Sequence, residues 1–249
     1  MSLQMMLANA YYYGGRGLFR GGLMFDWTYL LALAGLALTM IASARVNSTF
    51  SRYNQVRSST GLTGMEAAER VLHSFGIYNV AIEHVSGSLT DHYDPRSKTL
   101  RLSDSTFRSP SVAAISVAAH ECGHAAQDRD GYGPLVLRST LVPAANIGSQ
   151  LAWPVFIAGL IFSIRILTTV GIVLFCLAVV FQLVTLPVEF DASARALRCL
   201  EQNHILPEEE LQGGRQVLRA AAMTYVAALA SSLLQLLRLI LLSQRRSRR

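Results

Sequence analysis

Four blocks of this chain contain no charged residue: Trp27 to Ala44, Ser139 to Ile164, Ile166 to Val188 and Ala220 to Leu237. Each is long enough for a membrane helix, which needs about 20 mostly apolar residues. A buried core helix of that length usually keeps one polar face. "LLALAGLALTMIA" and "GIVLFCLAVVFQLV" are apolar all round, which fits lipid or a very large core. Composition agrees, with 51% hydrophobic and only 15% charged residues, where soluble chains carry about a quarter charged. The prediction is a mainly α membrane protein with about four transmembrane helices, the last interrupted by Arg238. "IASA" before Arg45 resembles a cleavage site, but the apolar run exceeds the usual signal core of about 7–15 residues. The first helix therefore reads as a retained anchor. The Gly/Tyr-rich leader before it reads as flexible or lying on the membrane surface.

The three cysteines, Cys122, Cys176 and Cys199, form no C-x-x-C pair and give no disulfide framework or cysteine metal site. The net charge of +6 comes from arginines near membrane edges and a basic "QRRSRR" tail. These are topology and headgroup signals, and no nucleic-acid motif accompanies them. The lipid bilayer is the implied partner, and nothing in the chain sets an oligomeric state.

Between the first two apolar blocks the composition is ordinary. "TGME", Thr63 to Glu66, is a capping box that opens a helix over Gly64 to Phe75, with Gly76 as its stop. "YNVAIEHV" reads as a strand. "LTDHYDPRSKTLRLS" reads as strand, turn and strand, with Thr99 to Leu102 alternating between a buried and a wet face. Ser109 is placed to cap the next helix, with Pro110 in its first position. That helix carries "VAAHECGHAAQD" and ends at "DGYG".

Residues four apart share a helix face, so His120 and His124 can aim at one point, with Glu121 to its side. This is the H-E-x-x-H pattern. Two imidazoles supply two zinc ligands, and a catalytic site leaves one position for a water that a carboxylate deprotonates. The small neighbours Ala118, Ala119, Gly123, Ala125 and Ala126 let other elements approach closely. No third histidine follows at metzincin spacing, because position 130 is Asp130. Among distant candidates, "LPVEFDASARA" follows the third apolar block. Asp191 is four residues from Arg195 and suits an ion pair, which leaves Glu189 as the preferred third ligand. His204 is weaker. Two spanning blocks between His124 and Glu189 return the chain to the same membrane face, so the site and the hairpin support each other.

With these residues in place, the chain resembles the YugP-like family of neutral zinc metallopeptidases, which are bacterial integral-membrane proteins. The resemblance runs from about Met24 to Leu242. It is carried by "STFSRY", "LTDHYDPRSKTLRLSD", "SVAAISVAAHECGHAAQ", "LVP", "LPVEFDAS" and "MTYVAALASSLLQLLRL". More loosely, the order of anchor, motif, hairpin and E-F is similar to HtpX and the prenyl-protein endopeptidases. The resemblance implies His120, His124 and Glu189 as zinc ligands and Glu121 as the base. Two positions depart from it. Cys122 stands where an aliphatic residue is commoner. Ser193 stands where the HtpX-like pattern has an aspartate that orients a histidine, so Ser193 or Asp191 would supply that hydrogen bond.

The expected organisation is a leader over 1–22, an anchor over 23–46 and a zincin-like α+β catalytic region over 47–143. A membrane hairpin follows over 144–187, then a helical third-ligand segment over 188–219, a membrane helix over 220–242 and a basic tail over 243–249. The expected activity is zinc-dependent endopeptidase cleavage of a membrane or membrane-associated protein or peptide substrate. Arg195 would stabilise the oxyanion. "KTLRLS" would take substrate as an added strand through Leu100 and Leu102, with His92 and Tyr93 lining the cleft. The non-enzymatic alternative is a zinc-stabilised membrane scaffold or partner subunit. A slight arginine bias favours a cytoplasmic catalytic side on a bacterial inner membrane.

Overall fold

The computed structural model of the chain describes residues 27–247, with side chains through 244. The expectations for the leader, and for the last residues of the tail, lie outside them. The chain is mainly α, with a small α+β part; in order the elements are α1 Tyr29–Asn54, α2 Gly64–Ser74, β1 Ala81–Val85, β2 His92–Asp94, β3 Thr99–Ser103, α3 Val112–Arg129, α4 Gly133–Ile161, α5 Arg165–Gln202 and α6 Glu208–Ser247.

Helices α1, α4, α5 and α6 are long and apolar enough to cross a membrane. Their apolar side chains stay largely outward: Leu30, Met40, Ile147, Ile166 and Val173 are all exposed. In water such surfaces would associate, whereas lipid solvates them. Helix α1 packs on α6, α6 on α5, and α5 on α4. Contact between α4 and α5 is close because Gly171 lies on the backbone of Phe156, where a Cβ would come within 2.8 Å of Cα. Small residues at such crossings are how membrane helices bring backbones together. Pro143 and Pro154 inside α4 and Pro187 inside α5 are accommodated without ending either helix.

All four long helices run beyond their charge-free blocks, with α1 reaching Asn54. Helix α4 begins at Gly133, and α5 continues past Val188 to Gln202. Glu189 therefore sits on the same helix as the third apolar block. Helix α6 likewise runs from Glu208 through the fourth block in one piece.

The polar middle packs against the bundle through α3, which touches α1, α2, α4, α5 and α6. Helix α2 starts with the expected capping box: Thr63 Oγ1 accepts from Glu66 N, while Glu66 Oε2 accepts from Thr63 N at 2.8 Å. Helix α3 starts two residues later than the sequence pattern suggests. Its cap is Ser111, whose hydroxyl accepts from Ala114 N at 3.1 Å. Pro110 O accepts from Ser58 N and Val112 N donates to Val56 O, so this segment is drawn out as a bridge against 56–58 before it can turn.

The three strands order as β1-β3-β2, with β3 parallel to β1 and antiparallel to β2. This corrects the reading of "KTLRLS" as an open strand. With partners on both sides, β3 has no free edge. Nor is one of its faces wet: Leu100 and Leu102 are completely buried, and only Arg101 is partly exposed. Both leucines belong to the core formed with Val71 of α2, Ile115 of α3 and Leu200 of α5. As they stand, neither side chain is open to solvent.

Candidate metal centre

Helix α3 buries one face made of Ala118, Ala119, Cys122, Ala125 and Ala126. Cys122 points into this core, with its thiol against Ala68 O. The opposite register turns His120, Glu121 and His124 toward α5. Approach of α5 depends on Gly123, because a Cβ there would lie 2.5 Å from the Ala192 carbonyl oxygen. That closeness brings Glu189, only 3% exposed, against the two imidazoles.

Glu189 Oε2 lies 3.4 Å from His120 Nε2 and 3.7 Å from His124 Nε2. The rings are nearly perpendicular, at 82°, with centroids 4.8 Å apart. Among the described residues, these three form the group able to hold a metal ion, their ligand atoms all within 4.8 Å of one another. The donor set fits zinc. Two nitrogens and one oxygen with bonds of about 2.0–2.1 Å in a tetrahedron stand roughly 3.3 Å apart, near the separations observed. A buried carboxylate also requires positive charge nearby. Arg138 Nη1, 3.3 Å from Glu189 Oε1, supplies part of it.

The far nitrogens of both rings are engaged, which leaves the Nε2 atoms to converge. Ser193 Oγ is 3.1 Å from His120 Nδ1. His124 Nδ1 meets Gln127 Oε1 at 3.0 Å. Gln127 was missed in the sequence, where it reads as an ordinary helical residue. The one available signal was its position, three residues after His124 on the same helix. Asp191 reaches His124 only through Gln127, whose Nε2 donates to it at 2.9 Å.

Glu121 stands beside the trio and accepts from Tyr93 N at 3.1 Å. Tyr93 is thus at the site through its backbone. Its phenol instead donates to Asp128, which also accepts from Lys98. His92 is exposed and holds its own turn, with Nδ1 at 2.9 Å from Thr90 O. His204 is an exposed turn residue remote from the trio in the fold.

Arg195 is placed differently from its expected role. Its Nε donates to Asp191 at 2.6 Å and its Nη1 to Asp130, and the guanidinium lies over the Tyr132 ring. The i, i+4 spacing that made an ion pair with Asp191 plausible has prevailed, which directs the cation to the α3–α4 corner instead of to a substrate carbonyl.

A family model described as "Putative neutral zinc metallopeptidase" matches residues 28–244. The chain belongs to this family. It is also 45% identical over 212 residues to the "Putative membrane protease YugP" of Bacillus subtilis (strain 168), covering 85% of this chain and 94% of that protein. No solved structure matches. The match extends over all four membrane-length helices and the metal-capable trio, so the family's shared region includes both bilayer-facing and site-forming parts.

The electrostatics of the site are compatible with a cation. Burial pushes the Glu121 carboxyl above its ordinary range, with the two histidines pulling the other way. Burial opposes charge on His124, but its hydrogen bond to Glu189 and the nearby Glu121 outweigh this and raise it. Without metal, a proton on His124 supplies positive charge between the carboxylates.

Proposed function

We propose that this protein is a membrane-embedded zinc endopeptidase acting on membrane or membrane-associated proteins. The observation that carries the reading is the convergence of His120, His124 and Glu189 beside a carboxylate, Glu121, that is not needed as a ligand. A structural zinc site closes its fourth position with a protein ligand and has no use for an adjacent base.

Zinc, when bound by these three residues, supplies a Lewis acid that polarises a peptide carbonyl and acidifies water. Glu121 takes the proton from the attacking water and passes it to the leaving amine. Tyr93 N–H, donating to Glu121 Oε2, holds that carboxylate beside the trio. Arg138 replaces Arg195 as the cation available to the developing oxyanion, since it is next to Glu189. Tyr225 of α6 is within electrostatic reach of Glu189, Glu121 and Arg138 and flanks the same space. Strand β2, an edge strand in contact with Glu121, is the strand along which an extended substrate backbone would align.

Glu189 lies on a helix that also carries a membrane-length apolar span, and this supports substrates presented at the bilayer surface. The arginine distribution supports a cytoplasmic catalytic side in a bacterial cell membrane. The test is Glu121→Gln in cells, read by N-terminal proteomics of membranes. We expect zinc retention with cleavage reduced by about 10²–10⁴-fold. New N-termini persisting at the parent level in that variant would refute the mechanism.

A further inference from the structure

Gln127 is completely buried, yet it is a primary amide with four hydrogen-bonding positions. Its Nε2 lies 2.8 Å from Val188 O and 2.9 Å from Asp191 Oδ2. Both are acceptors, so the atom facing them must be the amide nitrogen, and flipping the amide would set oxygen against two oxygens. The remaining atom, Oε1, faces His124 Nδ1 at 3.0 Å. A carbonyl oxygen only accepts, so Nδ1 carries the proton and Nε2 keeps its lone pair.

We propose that Gln127 is a positioning residue of the metal centre: it locks His124 in the Nδ1–H tautomer and at the same time fixes the seat of Glu189. The second half follows from its partners. Val188 and Asp191 bracket Glu189 on α5, so one amide ties the α3 ligand His124 to the α5 ligand Glu189. Asp191 is itself held by Arg195 Nε at 2.6 Å, and Arg195 continues to Asp130 at the end of α3. The amide is thereby braced from both helices.

The two histidines are not held alike. Ser193, opposite His120 Nδ1, has a hydroxyl that donates or accepts and so leaves the tautomer of that ring open. Loss of Gln127 should therefore damage metal binding more than loss of Ser193.

This inference rests on the zinc reading proposed above, and the test separates the two. The full-length protein in detergent micelles is titrated with Zn2+ against a chelator, alongside thermal unfolding of the metal-free form. We expect Gln127→Met, similar in volume but with only a weak thioether acceptor for Nδ1 and no donor for Val188 O or Asp191, to weaken zinc binding by about 10–100-fold. Ser193→Ala should weaken it less. Parent-level affinity in Gln127→Met would overturn the proposal, provided His124→Ala has lost zinc. If His124→Ala keeps full affinity, the metal reading itself fails and the role of Gln127 falls with it. If Gln127→Met does not fold without metal, the parent protein decides: nitrogen-15 shifts that place the proton of the neutral His124 ring on Nδ1 support the amide lock, and a proton on Nε2 rejects it.

Discussion

Gly123→Ala tests how the two halves of the metal centre are brought together. The added Cβ would lie 2.5 Å from Ala192 O, 3.0 Å from its C and 3.1 Å from its Cα, all backbone atoms that no rotamer change can move. Ordinary contact begins at 3.4 Å, so α3 and α5 must separate by about 0.9 Å at this level. Metal sites hold their ligand distances to within about 0.2 Å. Ala192 is one turn from Glu189, so the separation falls almost directly on the gaps of 3.4 and 3.7 Å between Glu189 and the histidines. Overpacking of this kind costs about 1–3 kcal/mol, and about 1.4 kcal/mol is tenfold in affinity. The expected result is zinc affinity reduced by roughly 10–100-fold, with the secondary structure intact by circular dichroism. Gly133→Ala is the control, since nothing lies within 4 Å of a Cβ there. Unchanged zinc affinity in Gly123→Ala would show that the close helix approach does not set the site.

Other perturbations separate support from chemistry. Leu100→Ala removes a fully buried side chain and should cost about 2–5 kcal/mol in unfolding, while leaving the choice of cleaved bonds unchanged in the proteomic assay. Thr63→Ala removes the α2 cap and should lower stability by about 1 kcal/mol in a thermal melt, without affecting zinc titration. Arg138→Ala should reduce turnover more than Arg195→Ala does, as measured on an identified substrate; equal effects would remove Arg138 from the oxyanion role. For pH, His124 is raised above its ordinary value in the metal-free state. Its contribution to stability is thus complete below the unfolded value of about 6.5 and lost as pH rises through the folded value. Metal-free protein should melt at lower temperature as pH increases across that window, while zinc affinity increases because the competing proton leaves.

The parts legible in the sequence were those encoded locally. Four apolar runs announce long helices because every residue in them makes the same statement about solvent. Thr63 and Glu66 announce a helix start because both partners of the capping box lie within four residues. His120, Glu121 and His124 share a face by helical geometry alone. What was not legible depended on contacts between distant segments. β3 alternates like an edge strand, and only its parallel pairing with β1 makes it central and buries Leu100 and Leu102. Gln127 acquires its meaning from Val188 and Asp191, more than 60 residues away. Arg195 had two plausible partners, and the nearby carboxylates Asp191 and Asp130 won over a substrate that the chain does not encode.

Helix α5 carries a bilayer-length apolar stretch and Glu189 without a break. It acts mechanically as one shaft with two ends, one gripped by lipid and the other by imidazoles. Tilt adopted to match a thicker or thinner membrane is delivered to Glu189 as displacement, and the bend point available to absorb it is Pro187, two residues before the ligand. If the proposed zinc site holds, acyl-chain length should shift zinc affinity, which titration in bilayers of different thickness measures.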